Sequence, residues 1–423
     1  MKLLVLSAIA PYPPHDGDRL RLFHHIRSLR QAGHTLDLFC LTRSEADLRN
    51  VGRLRPWLRR LHVQHLPNHE LFLNLVGGLF HEKSWNVASY HSPLFLRALR
   101  DHAATPEGRS VQAVVAHRLR MAPYADAFVK RRSALAPESP SVPWVLDLVD
   151  CLTDYTRQVV QRKGFPWTRF LSSRWDTNLL SSEEPIWVGR SDVSLTVSEA
   201  EKRNLVALGA NADRLLTLTN GVDLGDRTQG RRPKEYPPDR KVVAFVGNLG
   251  YAPNEDGALW FLEEVWPIIR QKCPEAFFAA VGGAPSKRLL RRHNGQDILV
   301  RGYVPEMDPY VTHAALTVAP LRVASGFQNK VALSLALGTP VVATPQALKG
   351  LPLGAEKDLS GGETAGSFAE AVGTRLRKPK THRVKARRWG SFLRKHWVWD
   401  ASGRDLDRLI RGLVEGSRRR SGR

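Results

Sequence analysis

The sequence predicts an α/β protein of two similar domains, each a parallel sheet wrapped by helices. Three observations carry this. Short runs rich in Leu and Val alternate with amphipathic stretches at helical spacing. Each half opens with such a run followed at once by a loop bearing glycine, 3–8 before 11–18 and 241–246 before 247–253. A polar stretch rich in Gly and Pro, 224–240, separates the halves and reads as a linker.

The elements follow in order. Residues 3–8 form the first strand. Their apolar run is short and meets a Pro/Gly loop and an amphipathic helix, so a buried strand is a better reading than a signal peptide. Leu20, Phe23, Ile26 and Leu29 mark a helix over 19–32. Gly33 caps it, and 35–40 is the next strand, completing a βαβ unit. Residues 111–116 and 144–148 read as further strands, and 192–197 as a strand entering a capped helix at Ser198. In the second half, Leu259, Leu262, Val265 and Ile269 mark a helix over 256–271, kinked at Pro267. Strands follow at 276–281, 298–300, 316–319 and 340–343. The segment 71–80 reads as a buried helix or, beside Lys83 and Arg97, as a membrane-touching one. The segment 380–411, with Trp389, Phe392, Trp397 and Trp399, reads as a helix returning to the first domain, with membrane-surface binding as the competing reading.

Composition limits the function. The 423 residues suit two or three domains, and the net charge of +22 favours anionic partners such as nucleotide phosphates or acidic lipid. Basic runs are densest at 287–292, 375–388 and 418–423. No recognised nucleic-acid motif is present, so nucleic acid is not expected as a partner. Cys40, Cys151 and Cys273 lie far apart, without metal-ligand spacing or a disulfide framework, which fits a reducing compartment. No apolar run approaches the ~20 residues of a membrane span. A dinucleotide-dependent dehydrogenase is disfavoured, because no Gly-x-Gly-x-x-Gly turn follows the first strand.

The segment 325–343 is the most informative. A polar loop from Ser325 to Asn329 runs into a helix over 330–337. Gly338 stops that helix, and Thr339-Pro340 leads into a strand. A helix entered from a glycine-bearing loop points free N–H groups outward and suits an anion. Lys330 in the first turn opposes the local dipole, so a bound anion would offset it. An ordinary loop–helix–strand of an α/β sheet is the plainer alternative.

A wider set of motifs carries a resemblance. These are Pro11-Tyr12-Pro13-Pro14…Gly17-Asp18…Arg21, Gln31-Ala32-Gly33-His34, Thr219-Asn220-Gly221-Val222-Asp223, Val246-Gly247-Asn248…Pro253-Asn254-Glu255-Asp256, Val281-Gly282-Gly283, Gly302-Tyr303-Val304, Ala319-Pro320-Leu321-Arg322, Gly326-Phe327-Gln328-Asn329-Lys330-Val331 and Gly338-Thr339-Pro340. In this order over nearly the whole chain, they resemble the group-one (family four) GT-B glycosyltransferases. The likeness is greatest to sugar transferases of exopolysaccharide and PEP-CTERM loci.

The resemblance implies two Rossmann-like domains facing a cleft. An acceptor-side domain would span 1–223 plus a returning helix at about 390–415, and a donor-side domain 224–389. It implies sugar transfer from a nucleotide-sugar to a glycan or lipid-linked acceptor, with retention and no metal or other cofactor. The setting would be cytoplasmic, peripheral on the inner face of the plasma membrane. Arg322 and Lys330 would stabilise the departing diphosphate, with Gly17, Asn248, Gly250, Ser325, Gly326, Phe327, Gln328, Asn329 and Leu333 around the donor. His117, at a strand end, would lie near the transferred sugar, orienting a hydroxyl or carrying a proton, or would serve as a structural hydrogen-bonder. Asp150, Arg118 and Arg120 would face the acceptor. Asp147 and Asp150 are equally suited to capping or to pairing with Arg157, and His15 and His24 have no special spacing.

The chain departs from the family at two positions. Carboxylates usually eight positions apart are replaced by Ser325 and Leu333. The nucleotide would then be held otherwise, through Ser334 or a backbone group. Slow catalysis is a second possibility, and a catalytically inactive partner or scaffold protein a third. An epimerase or phosphorylase of the same fold is a further possibility.

Overall fold

The computed structural model describes residues 1–14, 16–80, 83–162, 167–222, 230–351 and 354–421. His15, Asp223 and the 224–229 part of the expected linker lie outside them. Two compact units emerge. The first takes Met1–Val160, Thr168–Gly221 and Trp399–Arg423, and the second takes Gln161–Trp167 and Val222–Val398.

The first unit holds β1 (Lys2–Ser7), β2 (Thr35–Thr42), β3 (Arg60–His65), β4 (Ala113–His117), β5 (Trp144–Val149), β6 (Val193–Thr196) and β7 (Leu215–Thr217). They pair in parallel in the order β3-β2-β1-β4-β5-β6-β7. The order reverses between β1 and β4, and ligands of open α/β sheets bind at the carboxyl ends beside such a switch. Leu4 and Leu6 join the core on one face of the sheet, Leu3 and Val5 that on the other. Both faces are covered, so β1 reads as an unbroken apolar run. The sequence did not reveal β3 and β7. Both are sheet edges: β3 is polar and part-exposed, and β7 has three residues.

The second unit holds β8 (Lys241–Val246), β9 (Ala276–Val281), β10 (Ile298–Arg301), β11 (Leu316–Ala319) and β12 (Val341–Ala343), parallel in the order β10-β9-β8-β11-β12. Its switch lies between β8 and β11. The helix after β8 starts at Ala252, earlier than expected, and runs to Trp260. A π-turn over Phe261–Val265 precedes Trp266–Lys272. Pro267 lacks an N–H for the α-ladder, and a wider turn just before it absorbs that break.

Three further expectations change. The helix after β1 begins at Gly17, capped by the Asp16 side chain, two residues before the predicted start. The helix Asn68–Phe80 is not buried: Phe72 and Leu73 are 66% and 65% exposed. The aromatic C-terminal segment is two helices. Pro379–His396 packs on Asn329–Ala336 in the second unit, where Gly390 meets the Leu335 backbone too closely for any Cβ. Trp399–Ser421 packs on Gly17–Gln31 in the first unit. Leu406, Ile410 and Val414 enter the core there, and Trp399 stacks on the buried His24 with centroids 4.6 Å apart. No described helix is long and apolar enough to cross a membrane.

Candidate functional site

In the second unit the site forms at the carboxyl end of β8. Gly247 leaves the strand at φ +144°, and a Cβ there would crowd Lys330 and Asn254. The Gly282 backbone packs so close that a Cβ would run into the Gly247 carbonyl. The loop is then fixed by hydrogen bonds. The amide of Leu249 donates to Gly283 O at 2.8 Å, the amide of Gly250 to Asn248 Oδ1 at 3.1 Å, and Asn254 Nδ2 to Asn248 O at 2.8 Å. Asn248 and Gly250 are solvent-exposed.

Lys330 reaches this loop from the first turn of Asn329–Ala336. Its Nζ donates to Asn254 Oδ1 at 2.5 Å and lies 5.4 Å from the centre of the Phe245 ring. No carboxylate pairs with it among the described residues. Burial against Phe245 and the loop pushes its pKa down to about 7. No side chain caps the helix it sits on. This end of β8 therefore presents an uncompensated cation beside a solvent-exposed loop, a setting that favours an oxyanion.

Arg322 differs from Lys330. Its Nε donates to Asp256 Oδ2 at 3.0 Å and its Nη2 to the other oxygen, over the face of Trp260. Of the two cations assigned to the diphosphate, Arg322 is already paired. Gly326 takes φ +63° and Phe327 is buried against Trp397. Gln328 Nε2 turns back to Ser325 O at 3.0 Å, and Asn329 opens the helix. Leu333 packs against the apolar cluster of Val246, Val281 and Val304. Ser334 is fully buried and donates to Lys330 O at 2.8 Å, so it is not the substitute ribose ligand.

In the first unit, the carboxyl ends of β4 and β5 hold a fully buried polar cluster. Arg21 forks onto Asp147 at 2.8 Å and donates to Leu218 O and Asn220 Oδ1 at 2.9 and 2.8 Å. Burial raises the Asp147 carboxyl, but Arg21 and His117 outweigh it and hold it well below the usual range. Asp147 therefore pairs with Arg21, not Arg157. His117 Nδ1 lies 3.2 Å from Asp147 Oδ2. An ionised carboxylate there selects the tautomer with its proton on Nδ1. In the neutral ring Nε2 is then the acceptor, and it is buried without a partner among the described residues. His25, 3.7 Å from the same carboxylate, is kept neutral: burial and Arg21 push it down to about 3.

Arg118 follows at φ +76°, a left-handed conformation that a non-glycine residue adopts at a cost. It bridges Asp18, in the first turn of the helix opened by Gly17, to Asp150. Arg120 donates to Asn86, and both Arg120 and Arg43 lie over the Tyr90 ring, at 4.5 and 4.2 Å from its centre. The first-unit residues expected near the acceptor thus form one cluster. Sequence reasoning assigned no role to Arg21, Asn220 or Asn254, although all three fall inside the quoted motifs.

Comparison with known proteins bears on the fold. The chain is similar along nearly all its length to sucrose-phosphate synthase from Thermosynechococcus elongatus, at 15% identity and TM-score 0.69, covering 98% of this chain and 100% of that one. Anabaena HepE in complex with UDP-glucose matches at 13% identity and TM-score 0.63, over 97% and 100%. A UDP-forming α,α-trehalose-phosphate synthase from Burkholderia vietnamiensis matches at 13% and 0.63, over 97% and 100%. No curated protein sequence matches. The fold is that of the GT-B glycosyltransferases. Residues 240–378, which lie within the second unit, match the model of the group 1 glycosyl transferases.

Proposed function

We propose that this protein moves a sugar from a nucleoside-diphosphate donor, with retention, to a polysaccharide or lipid-linked acceptor. The observation that carries the reading is Lys330, a half-buried ammonium with no counter-ion among the described residues, beside the glycine loop of β8. A departing diphosphate supplies the missing negative charge, most of all as the glycosidic bond breaks, and fixed cations stabilise that state without a metal. Arg322, tied to Asp256, shapes the loop after β11 more than it neutralises phosphate. In the first unit, His117 offers Nε2 to a sugar hydroxyl while Asp147 and Arg21 hold its ring. Asp150, Arg118 and Arg120 line the acceptor side. Uridine is the first base to test, because HepE binds UDP-glucose.

The setting proposed is the cytoplasm, at an anionic membrane surface that presents a lipid-linked acceptor. Unpaired Cys40, Cys151 and Cys273 suit a reducing compartment. Exposed Phe72 and Leu73 supply an apolar contact. The exopolysaccharide role stays part of this proposal. The deciding experiment is titration of the purified protein with UDP and GDP, with and without chelator, followed by a hydrolysis and transfer assay on the matching nucleotide-sugar. Micromolar binding that survives chelator supports the reading. Absence of binding at millimolar nucleotide would leave an inactive scaffold, consistent with Leu333 where a ribose-binding carboxylate is usual.

A further inference from the structure

The first unit carries a second cationic feature, at the opposite end of its sheet from His117. A cavity of about 400 Å³ lies at the amino ends of β1, β4 and β5. Lys2, Arg109, Arg132 and Arg418 line it, Val142 and Val414 supply apolar wall, and no carboxylate among the described residues does. Arg132 is the informative member. It sits in the last turn of the helix Ala122–Leu135 and is only 8% exposed. Its Nη2 donates to the Arg109 carbonyl at 3.0 Å, while its Nε is buried without an acceptor. It has no ion pair among the described residues, and burial alone depresses its pKa.

A guanidinium stays protonated in proteins. Burying one without a carboxylate costs free energy. The helix C-terminus offsets part of this. An anion would offset the rest. Arg418 belongs to the basic run at the end of the chain. Its neighbour Ser417 pins that helix here by donating to Ser141 O at 2.6 Å.

We propose that this cavity binds a phosphate ester, the phosphate held by Arg132, Arg109, Arg418 and Lys2 and its carbon part against Val142 and Val414. Arginine N–H forks match phosphate oxygens in pairs, and no single base or sugar is called for by the walls. The source is either a soluble phosphate or a lipid headgroup. The inference does not rest on the transferase reading.

The test is calorimetric titration of the full chain with inorganic phosphate, at ionic strength matched with chloride. Four variants are compared: Arg132→Met, the exposed pair Arg109→Gln/Arg418→Gln, the equally charged exposed control pair Arg49→Gln/Arg203→Gln, and Lys330→Met to remove binding at the other unit. Millimolar or tighter binding is expected, weakened roughly tenfold by the first two variants and unchanged by the control pair, while Lys330→Met removes any second binding event and leaves the one at this cavity. If Arg132→Met fails to fold, the exposed pair still decides. Sedimentation with phosphatidylglycerol or phosphatidylcholine vesicles separates the sources. Binding to the anionic vesicles that falls in the Arg109/Arg418 pair but not the control pair assigns a lipid headgroup. Soluble binding without that difference assigns a free phosphate. The proposal is overturned if neither phosphate nor vesicles distinguish the Arg109/Arg418 pair from the control pair.

Discussion

Lys330 should make nucleotide binding depend on pH in a distinctive direction. Burial leaves it half-protonated near pH 7 in the free protein. A diphosphate beside its Nζ raises that pKa, so above pH 7 binding must draw a proton from solvent. The affinity for UDP should therefore fall by up to about tenfold per pH unit above 7.5, or roughly 30-fold between pH 7.5 and 9. The phosphates of UDP are already ionised in that range, their last pKa being about 6. Calorimetry in two buffers of different ionisation heat reads the uptake directly, approaching one proton near pH 8.5. Lys330→Met should weaken binding by roughly 10- to 150-fold, the value of one charge-assisted contact, and abolish the slope. The sign for folding is separate. An unfolded lysine holds its proton up to about pH 10.4, whereas the folded one releases it near 7, so stability falls as pH drops through that window. A flat affinity with no proton uptake, or a slope that persists in the methionine variant, would refute the assignment of Lys330 to the diphosphate.

Four other outcomes test the same account. Arg21→Met leaves Asp147 buried without its guanidinium partner and should cost about 3–5 kcal/mol by denaturant unfolding. In the wild type the contribution of Asp147 is present at neutral pH and is lost as pH falls below about 4. His117→Gln removes Nε2 from the strand end; transfer should drop at least 100-fold in kcat, with UDP affinity within about twofold. Gly282→Ala forces the Gly247 carbonyl away, so UDP binding should vanish while the circular-dichroism spectrum keeps its α/β shape. Leu333→Glu should tighten UDP if the ribose lies beside it, against a loss of stability from setting a carboxylate on Val246 and Val304; unchanged affinity would put the ribose elsewhere.

Most of the fold was legible in the sequence. β8, β9 and β11 fall on their predicted residues, because a strand buried on both faces must be an unbroken apolar run. Edges escaped, since Arg60–His65 is half-wet and needs no such run. The split of the C-terminal segment escaped as well. Both helices carry aromatic and basic residues, and only packing shows that Pro379–His396 belongs to one unit and Trp399–Ser421 to the other.

The amino-acid order alone determined two parallel sheets, a glycine loop after the first strand of each half, and a lysine in the first turn of the helix after β11. Those features are local: periodicity, turn chemistry and helix entry act over a few residues. Charge compensation is not local, and only the tertiary structure decided it. Arg322 and Lys330 read alike as cations near a loop, yet Asp256 lies 66 positions from Arg322 and neutralises it, while Lys330 meets an amide oxygen and no carboxylate among the described residues. Arg21 and Asp147, 126 positions apart, orient His117 for the same reason. Long-range pairing sets which charges remain for a ligand, and the chain fixes that pairing only once its sheets have closed.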